Sequence, residues 1–412
     1  MTSEPADREL IFDWNVAGPQ AIPAPRKVEL DDESLRDGLQ SPSVRTPSIE
    51  HKVRLLHLMD ELGIDTADIG LPGAGPHVLK DVKVLAREIA DSKLRITANC
   101  AARTLKADID PIADASQHAG IPIEACLFIG SSPIRQYAED WTLDSMLAHT
   151  GESVSHAVSL GLPVMYVTED TTRARPETLE RLYTCAIESG ARRICLADTV
   201  GHATPEGVHN LVSWGCQLVK GLEPDVKVDW HGHNDRGLGV INALVAGYAG
   251  ADRVHGTALG IGERVGNASM DQLLVNLKLV GWVDRDLVAL SNYCELASEM
   301  TGVAIHETYP VMGADAFRTG TGVHAAAIIK AMKKGDDWLA NRVYSGVPAE
   351  YFGRRQIIEL GPMSGQSNVM FWLEERRLEP KPALVDALFS ACKSADKVLP
   401  EADAMRIVAL FG

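Results

Sequence analysis

The chain has 412 residues, of which 45% are hydrophobic and 23% charged, the balance of an ordinary soluble globular protein. Its formal net charge of -16 argues against a nucleic-acid or anionic-membrane partner, because both require basic surface. The length exceeds the about 250 residues of one (β/α)8 barrel, so a second unit is expected.

Residues 1–26 read as a leader with Pro19, Pro23 and Pro25 near its end, and Met1–Asp7 is too polar for a secretion signal. From Lys27 short aliphatic runs alternate with amphipathic stretches. The predicted strands are Lys27–Leu30, Thr66–Gly70, Leu94–Ala98, Ile123–Ile129, Val164–Thr168, Arg193–Ala197, Lys227–Trp230 and Arg253–Gly256. Helical patterns such as Ile49–Leu62, Val78–Ala90 and Thr178–Ser189 lie between them. Strands with helical crossovers at this spacing predict a (β/α)8 TIM barrel over 27–286, with a doubly wound open sheet as the alternative. From about Leu287 the alternation stops, and 287–412 reads as a small, mostly helical C-terminal appendage containing Val323–Lys334 and Ala383–Val398. No run of about 18 apolar residues occurs, so no membrane span is expected. The seven cysteines are odd in number, scattered and free of any CxxC pair, which points to a reducing cytoplasm.

Four groups fall at the C-terminal ends of predicted strands, the rim where barrel active sites are built. They are Arg36-Asp37-Gly38, Asp198-Thr199, His231-Gly232-His233-Asn234-Asp235 and the loop Gly260 to Asn267. His231 and His233 are two apart, so on a continuing strand both imidazoles point the same way. A lone HxH is more often a pair of polar strand-end residues. With Asp37, however, two imidazoles and a carboxylate make a divalent-metal site with open positions for substrate. Zn, Mn, Mg and Co all suit such a set. Gly260, Gly262 and Gly266 fit no complete nucleotide motif and read first as a tight turn. Asn267 is a candidate helix cap or a metal ligand through its carbonyl oxygen.

The segments Glu33-Ser34-Leu35-Arg36-Asp37-Gly38-Leu39-Gln40, His231 to Asp235 and Gly260 to Ser269 resemble the signatures of the DRE-TIM metallolyase superfamily. Within it the chain is most similar to the 2-isopropylmalate, homocitrate and citramalate synthase group. Glu169-Asp170, Asp198-Thr199-Val200-Gly201, Thr321-Gly322-Val323-His324 and Tyr344 extend the likeness. Three positions depart from it. Leu39 stands where the synthases have Glu and matches the 3-hydroxy-3-methylglutaryl-CoA lyase branch. Asp68 stands for a common Glu, and Arg135 for an expected His. The strand-eight loop GIGERVGN lacks the catalytic cysteine of the lyases.

The resemblance implies an acyltransferase that condenses acetyl-CoA with a 2-oxo acid, on a divalent metal held by Asp37, His231, His233 and Asn267. It implies catalytic roles for Arg36, Glu169, His324 and Tyr344, and a homodimer in which His324 serves the partner's site. Gln40, Arg103, Thr199, Met165, Val167 and Cys195 are the candidate substrate contacts. Strand parity sets Met165 and Val167 beside Glu169, and Cys195 and Ala197 beside Thr199, giving an uncharged wall. Homocitrate synthases have an Arg near the Met165 position for a distal carboxylate, so an apolar 2-oxo acid is expected here. The alternatives are a C–C bond-cleaving acyl-CoA lyase or a homocitrate or citramalate synthase. The large leucine-responsive domain of the regulated synthases finds no counterpart in 287–412, so feedback inhibition of that kind is not expected.

Overall fold

Among the described residues (10–15, 17 and 22–411), eight parallel strands pair in sequence order and close into a barrel in this computed structural model. They are β1 Glu29–Asp32, β2 Thr66–Asp68, β3 Thr97–Arg103, β4 Ile123–Gly130, β5 Val164–Glu169, β6 Arg193–Asp198, β7 Lys227–Gly232 and β8 Arg253–Gly256. β8 returns to β1 in the register Glu29↔Arg253 and Asp31↔His255. Closure excludes the open doubly wound sheet. The leader expected over 1–26 falls partly outside the described residues.

The third strand differs from its sequence expectation. It begins at Thr97 rather than Leu94, because Asp60 Oδ1 accepts the backbone N–H groups of Arg95 and Ile96 (2.6 and 2.9 Å) and holds them off the ladder. It then runs on to Arg103 through Asn99-Cys100-Ala101-Ala102, paired with Glu124–Phe128. Small side chains carry little strand signal, so this half was invisible in the pattern.

The alternation of each strand sorts its residues into two environments. Leu30, Tyr166, Val228, Trp230 and Val254 are buried against the surrounding helices; Tyr166 Oη lies 2.8 Å from Thr150 Oγ1 on helix Leu143–Ser159. Their neighbours fill the barrel with charge. Arg253 is bonded to Asp229 (2.6 Å) and Glu124 (2.7 Å), and Arg193 to Asp229 (2.6 Å) and Glu29 (2.9 Å). Buried ions are tolerable only when paired, and removing one partner of such a pair typically costs about 3–5 kcal/mol.

By Cα packing the chain divides into residues 1–285 with 299–303, and residues 286–298 with 304–412. The second unit has an apolar core around Trp372, Leu373, Leu384 and Leu388, and a two-stranded parallel ladder of β9 Arg318–Thr319 and β10 Ile357–Ile358. Its helix Gly322–Lys333 carries the exposed His324 in its first turn, and the His324 ring stacks on Tyr344 with centroids 4.2 Å apart.

Candidate active site

At the C-terminal rim of the barrel, Asp37, His231 and His233 each offer a ligand atom within 4.8 Å of the others. Asp37 Oδ2 is 3.9 Å from His231 Nε2 and 3.5 Å from His233 Nε2. His231 lies on β7, and His233 follows the strand end in an isolated bridge to Asn267. The glycines of the strand-eight loop make this approach possible. A Cβ on Gly262 would fall 1.9 Å from Asn267 Oδ1, and one on Gly266, where φ is +97°, 1.9 Å from the Gly260 carbonyl. The glycines thus serve a tight turn that brings Asn267 Nδ2 to 2.5 Å from Asp37 Oδ2.

The donor set fits a divalent cation. Two imidazoles and a carboxylate converge, and Asn267 Oδ1 beside them is buried without a hydrogen-bond partner, a costly state that a bound ion would relieve. Burial and the neighbouring His231 push the His233 pKa down to about 4, which keeps it a neutral imidazole. Burial opposes ionisation of Asp37, but Arg36 and His231 hold its carboxyl below the ordinary value. Glu33 Oε2 sits 2.7 Å from His231 Nδ1 and so turns Nε2 toward Asp37. Against its own burial cost Glu33 is held well below the usual carboxylate range by His231, Arg36 and His255.

Arg36 is committed on three sides, to Asp68 at 2.6 Å, Asp37 at 2.8 Å and Glu33 at 3.1 Å. Burial nonetheless pushes the Asp68 carboxyl up to about 7 against the pull of Arg36. One layer deeper, His255 lies 3.0 Å from both Glu33 Oε1 and Asp229 Oδ2. Sequence reading passed over Glu33 as a partner and His255 altogether. The signal was there: charged residues recur two apart in strands otherwise read as core, as in Arg253/His255 and Asp229/His231.

Beside this group opens a cavity of about 220 Å³. Arg36, Asp37, Gln40, Glu169, Thr199, His231 and His233 line its polar side. Met165, Val167, Cys195 and Ala197 line the other, joined by Cys126, Ala101 and Phe128, which the sequence reading had not named. Thr199 Oγ1 accepts the Asp170 N–H at 2.8 Å, leaving its own proton for a ligand. Asp170 is in the left-handed region (φ 57°) and is gripped through both carboxylate oxygens by Arg173 at 2.7 and 2.8 Å. Asp198 is already engaged, accepting from Thr172 of the turn after β5 and from the backbone of His202 and Ala203 in its own loop.

Arg103 does not line the cavity. Its guanidinium is bound bidentately by Asp108 at 2.6 and 3.0 Å and is largely exposed, which removes the reason to assign it to substrate. His324 and Tyr344 belong to the other packing unit, where they stack on each other.

The HMGL-like family model matches residues 27–298. A probable 2-isopropylmalate synthase from Methanopyrus kandleri is 33% identical over 375 residues, covering 90% of this chain and 70% of the relative. A homocitrate synthase, AksA, from the same organism is 32% identical, covering 90% and 88%. A 2-isopropylmalate synthase from Sulfolobus acidocaldarius is 32% identical, covering 85% and 86%. Among solved structures, an HMG-CoA lyase from Brucella melitensis aligns with a TM-score of 0.55 at 17% identity, over 67% of this chain and 99% of that one. At that identity the likeness speaks for the barrel alone.

Proposed function

Because this chain belongs to the HMGL-like family, on its 2-isopropylmalate synthase-like side, we propose that it condenses acetyl-CoA with a 2-oxo acid bearing an apolar side chain. The products are a 2-alkylmalate and free CoA. The observation that carries this reading is the joining of two surfaces in one cavity: the Asp37–His231–His233 group and the uncharged wall of Met165, Val167 and Cys195. A distal carboxylate would meet no free cation on that wall, and an unpaired buried charge costs several kcal/mol. The homocitrate alternative is therefore set second. The lyase alternative favoured by Leu39 is set second because the strand-eight loop GIGERVGN lacks a cysteine. Pyruvate, with its methyl group, is separated from larger apolar acids only by the assay.

A divalent metal held by Asp37, His231, His233 and Asn267 would act as a Lewis acid toward the 2-oxo group. The roles proposed for the chain's own side chains rest on the resemblance and, for those that line the cavity, on their surroundings. Thr199 donates its hydroxyl proton to the substrate carboxylate, and Gln40 closes the same rim. Arg36, fixed by three carboxylates, presents fixed positive charge beside the oxygen on which charge develops. His324, serving the barrel of a partner copy and oriented by Glu169, removes a proton from the acetyl methyl, with Tyr344 beside it. Hydrolysis of the thioester then releases CoA. We place this reaction in the reducing cytoplasm, resting on the seven scattered cysteines. No helix among the described residues is long and apolar enough to cross a membrane.

The test is thiol release from acetyl-CoA with a panel of 2-oxo acids, using metal-loaded and chelated enzyme. Metal-dependent release with 2-oxoisovalerate or a larger apolar acid is expected. Release confined to 2-oxoglutarate or pyruvate, or cleavage of 3-hydroxy-3-methylglutaryl-CoA instead, would replace this reading with one of its alternatives.

A further inference from the structure

The ends of β4 and β5 carry an arrangement that the roles above leave unexplained. Gly130, the last residue of β4, pairs in register with Glu169, the last of β5. Arg135 follows on the short helix Pro133–Ala138. A Cβ on Gly130 would lie 2.9 Å from Arg135 Nε, 3.1 Å from its Cβ and 3.3 Å from its Cγ. The missing side chain is what lets the arginine lie back over the strand end. From there its Nη2 reaches to 3.7 Å from Glu169 Oε2 and 3.4 Å from Glu139 Oε1. Its Nε is buried with no partner, so the pose is set by fit over Gly130 and by the two carboxylates.

The backbones on both sides are already fixed. Ser131 donates its N–H and its hydroxyl to the Glu169 carbonyl at 3.0 and 2.8 Å. Ser132 caps the short helix by accepting the Arg135 N–H at 3.3 Å and donates its hydroxyl to Asp170. What remains free is the Glu169 side chain. Its charged surroundings are Arg135 from the short helix, Glu139 just after it, Arg36 from the segment after β1, and the adjacent Asp170. Arg36 already serves Glu33, Asp37 and Asp68, which leaves Arg135 as the cation with capacity for Glu169.

We propose that Arg135 is a positioning residue that, laid over Gly130, fixes both the direction and the charge of the Glu169 carboxylate at the cavity mouth. The direction is consistent with the electrostatics: burial raises the Glu169 carboxyl, and Arg135 and then Arg36 pull it back. The functional side of the proposal rests on the role given to Glu169 above.

The test uses the full metal-loaded chain with Arg135→Gln, Arg135→Lys and Gly130→Ala, with Arg135→Gln also made in a Glu169→Gln background. Infrared titration follows the protonated-carboxyl band that disappears in Glu169→Gln, and circular dichroism checks that each variant is folded. Arg135→Gln and Gly130→Ala should each raise that midpoint by about half to one pH unit, since an opposite charge at this distance lowers a carboxyl and solvent weakens the effect. The acidic limb of kcat/KM should move with it, Arg135→Lys should restore part of the shift, and Arg135→Gln should add no loss of rate to Glu169→Gln. An unmoved midpoint in Arg135→Gln, or additive losses in the double variant, overturns the proposal. If the unaltered chain releases no CoA with any acid, the synthase reading fails, while the infrared midpoint still decides the clamp.

Discussion

Nδ1 of His231 lies 2.7 Å from Oε2 of Glu33, and Nε2 of the same ring faces Asp37 at 3.9 Å. A carboxylate behind an imidazole fixes its tautomer and raises its basicity as a ligand. Glu33→Gln should therefore weaken binding of a divalent metal by about 10–100-fold without unfolding the barrel. Competition titration of the chelated protein against a metal-sensing dye checks this, and equal affinities would take Glu33 out of the role.

His255 lies between Asp31, Glu33 and Asp229 at the floor of the site. Burial disfavours its charge, yet the carboxylates raise its pKa from 6.5 to about 10. The folded state then binds the proton more tightly than the unfolded chain, so this stabilisation is complete below pH 6.5. It fades as pH rises and is gone above about 10. Replacing His255 with Asn should cost about 3–5 kcal/mol near pH 6, the range for orphaning buried charge. Urea midpoints of both chelated proteins at pH 6 and pH 9.5 measure the difference, which should shrink at the higher pH.

Met165 and Cys195 sit in one small apolar cluster on the cavity wall. Shortening the side chain with Met165→Ala should shift kcat/KM about tenfold toward the longer of two apolar 2-oxo acids, since one methylene in such a pocket is worth about 10–200-fold. Competition between 2-oxoisovalerate and a homologue longer by two carbons reads it directly. An unchanged ratio would mean that the substrate side chain points elsewhere.

His324→Ala should leave metal binding intact and lower CoA release by about 10²–10⁴-fold, the usual worth of a positioned proton-transfer group. Asp37→Ala should remove metal binding itself. If His324 serves a partner's barrel, mixing the two inactive variants and allowing the subunits to reassort should restore activity at roughly a quarter of sites, as two-fold symmetry dictates. No recovery on mixing would argue that each chain supplies its own histidine.

Short strands with helical stretches between, eight in number, pointed to a barrel without excluding an open sheet, which closure then did. Period-two parity put Met165, Val167 and Glu169 on one face. It misplaced β3, where Asn99, Cys100, Ala101 and Ala102 are too small to mark a strand and Asp60 delays its start. The pairing HxH with Asp37 was legible because the residue types have few other reasons to share a rim.

The sequence by itself determined the strands other than β3, the rim residues and the uncharged character of the cavity wall, since each depends on local spacing and residue type. It could not assign Arg103 to Asp108, join Glu33 to His231 and His255, or lay Arg135 over Gly130 toward Glu169. Arg103–Asp108 and Arg135 over Gly130 span five residues each, but Arg135–Glu169, Glu33–His231 and Glu33–His255 join residues tens to hundreds of positions apart. The long-range ones exist because barrel closure sets β1 beside β8 and consecutive pairing sets β4 beside β5. Charge deep in the barrel is stable only when paired, so the closed tertiary structure decides which of the many charged residues become the site and which remain its support.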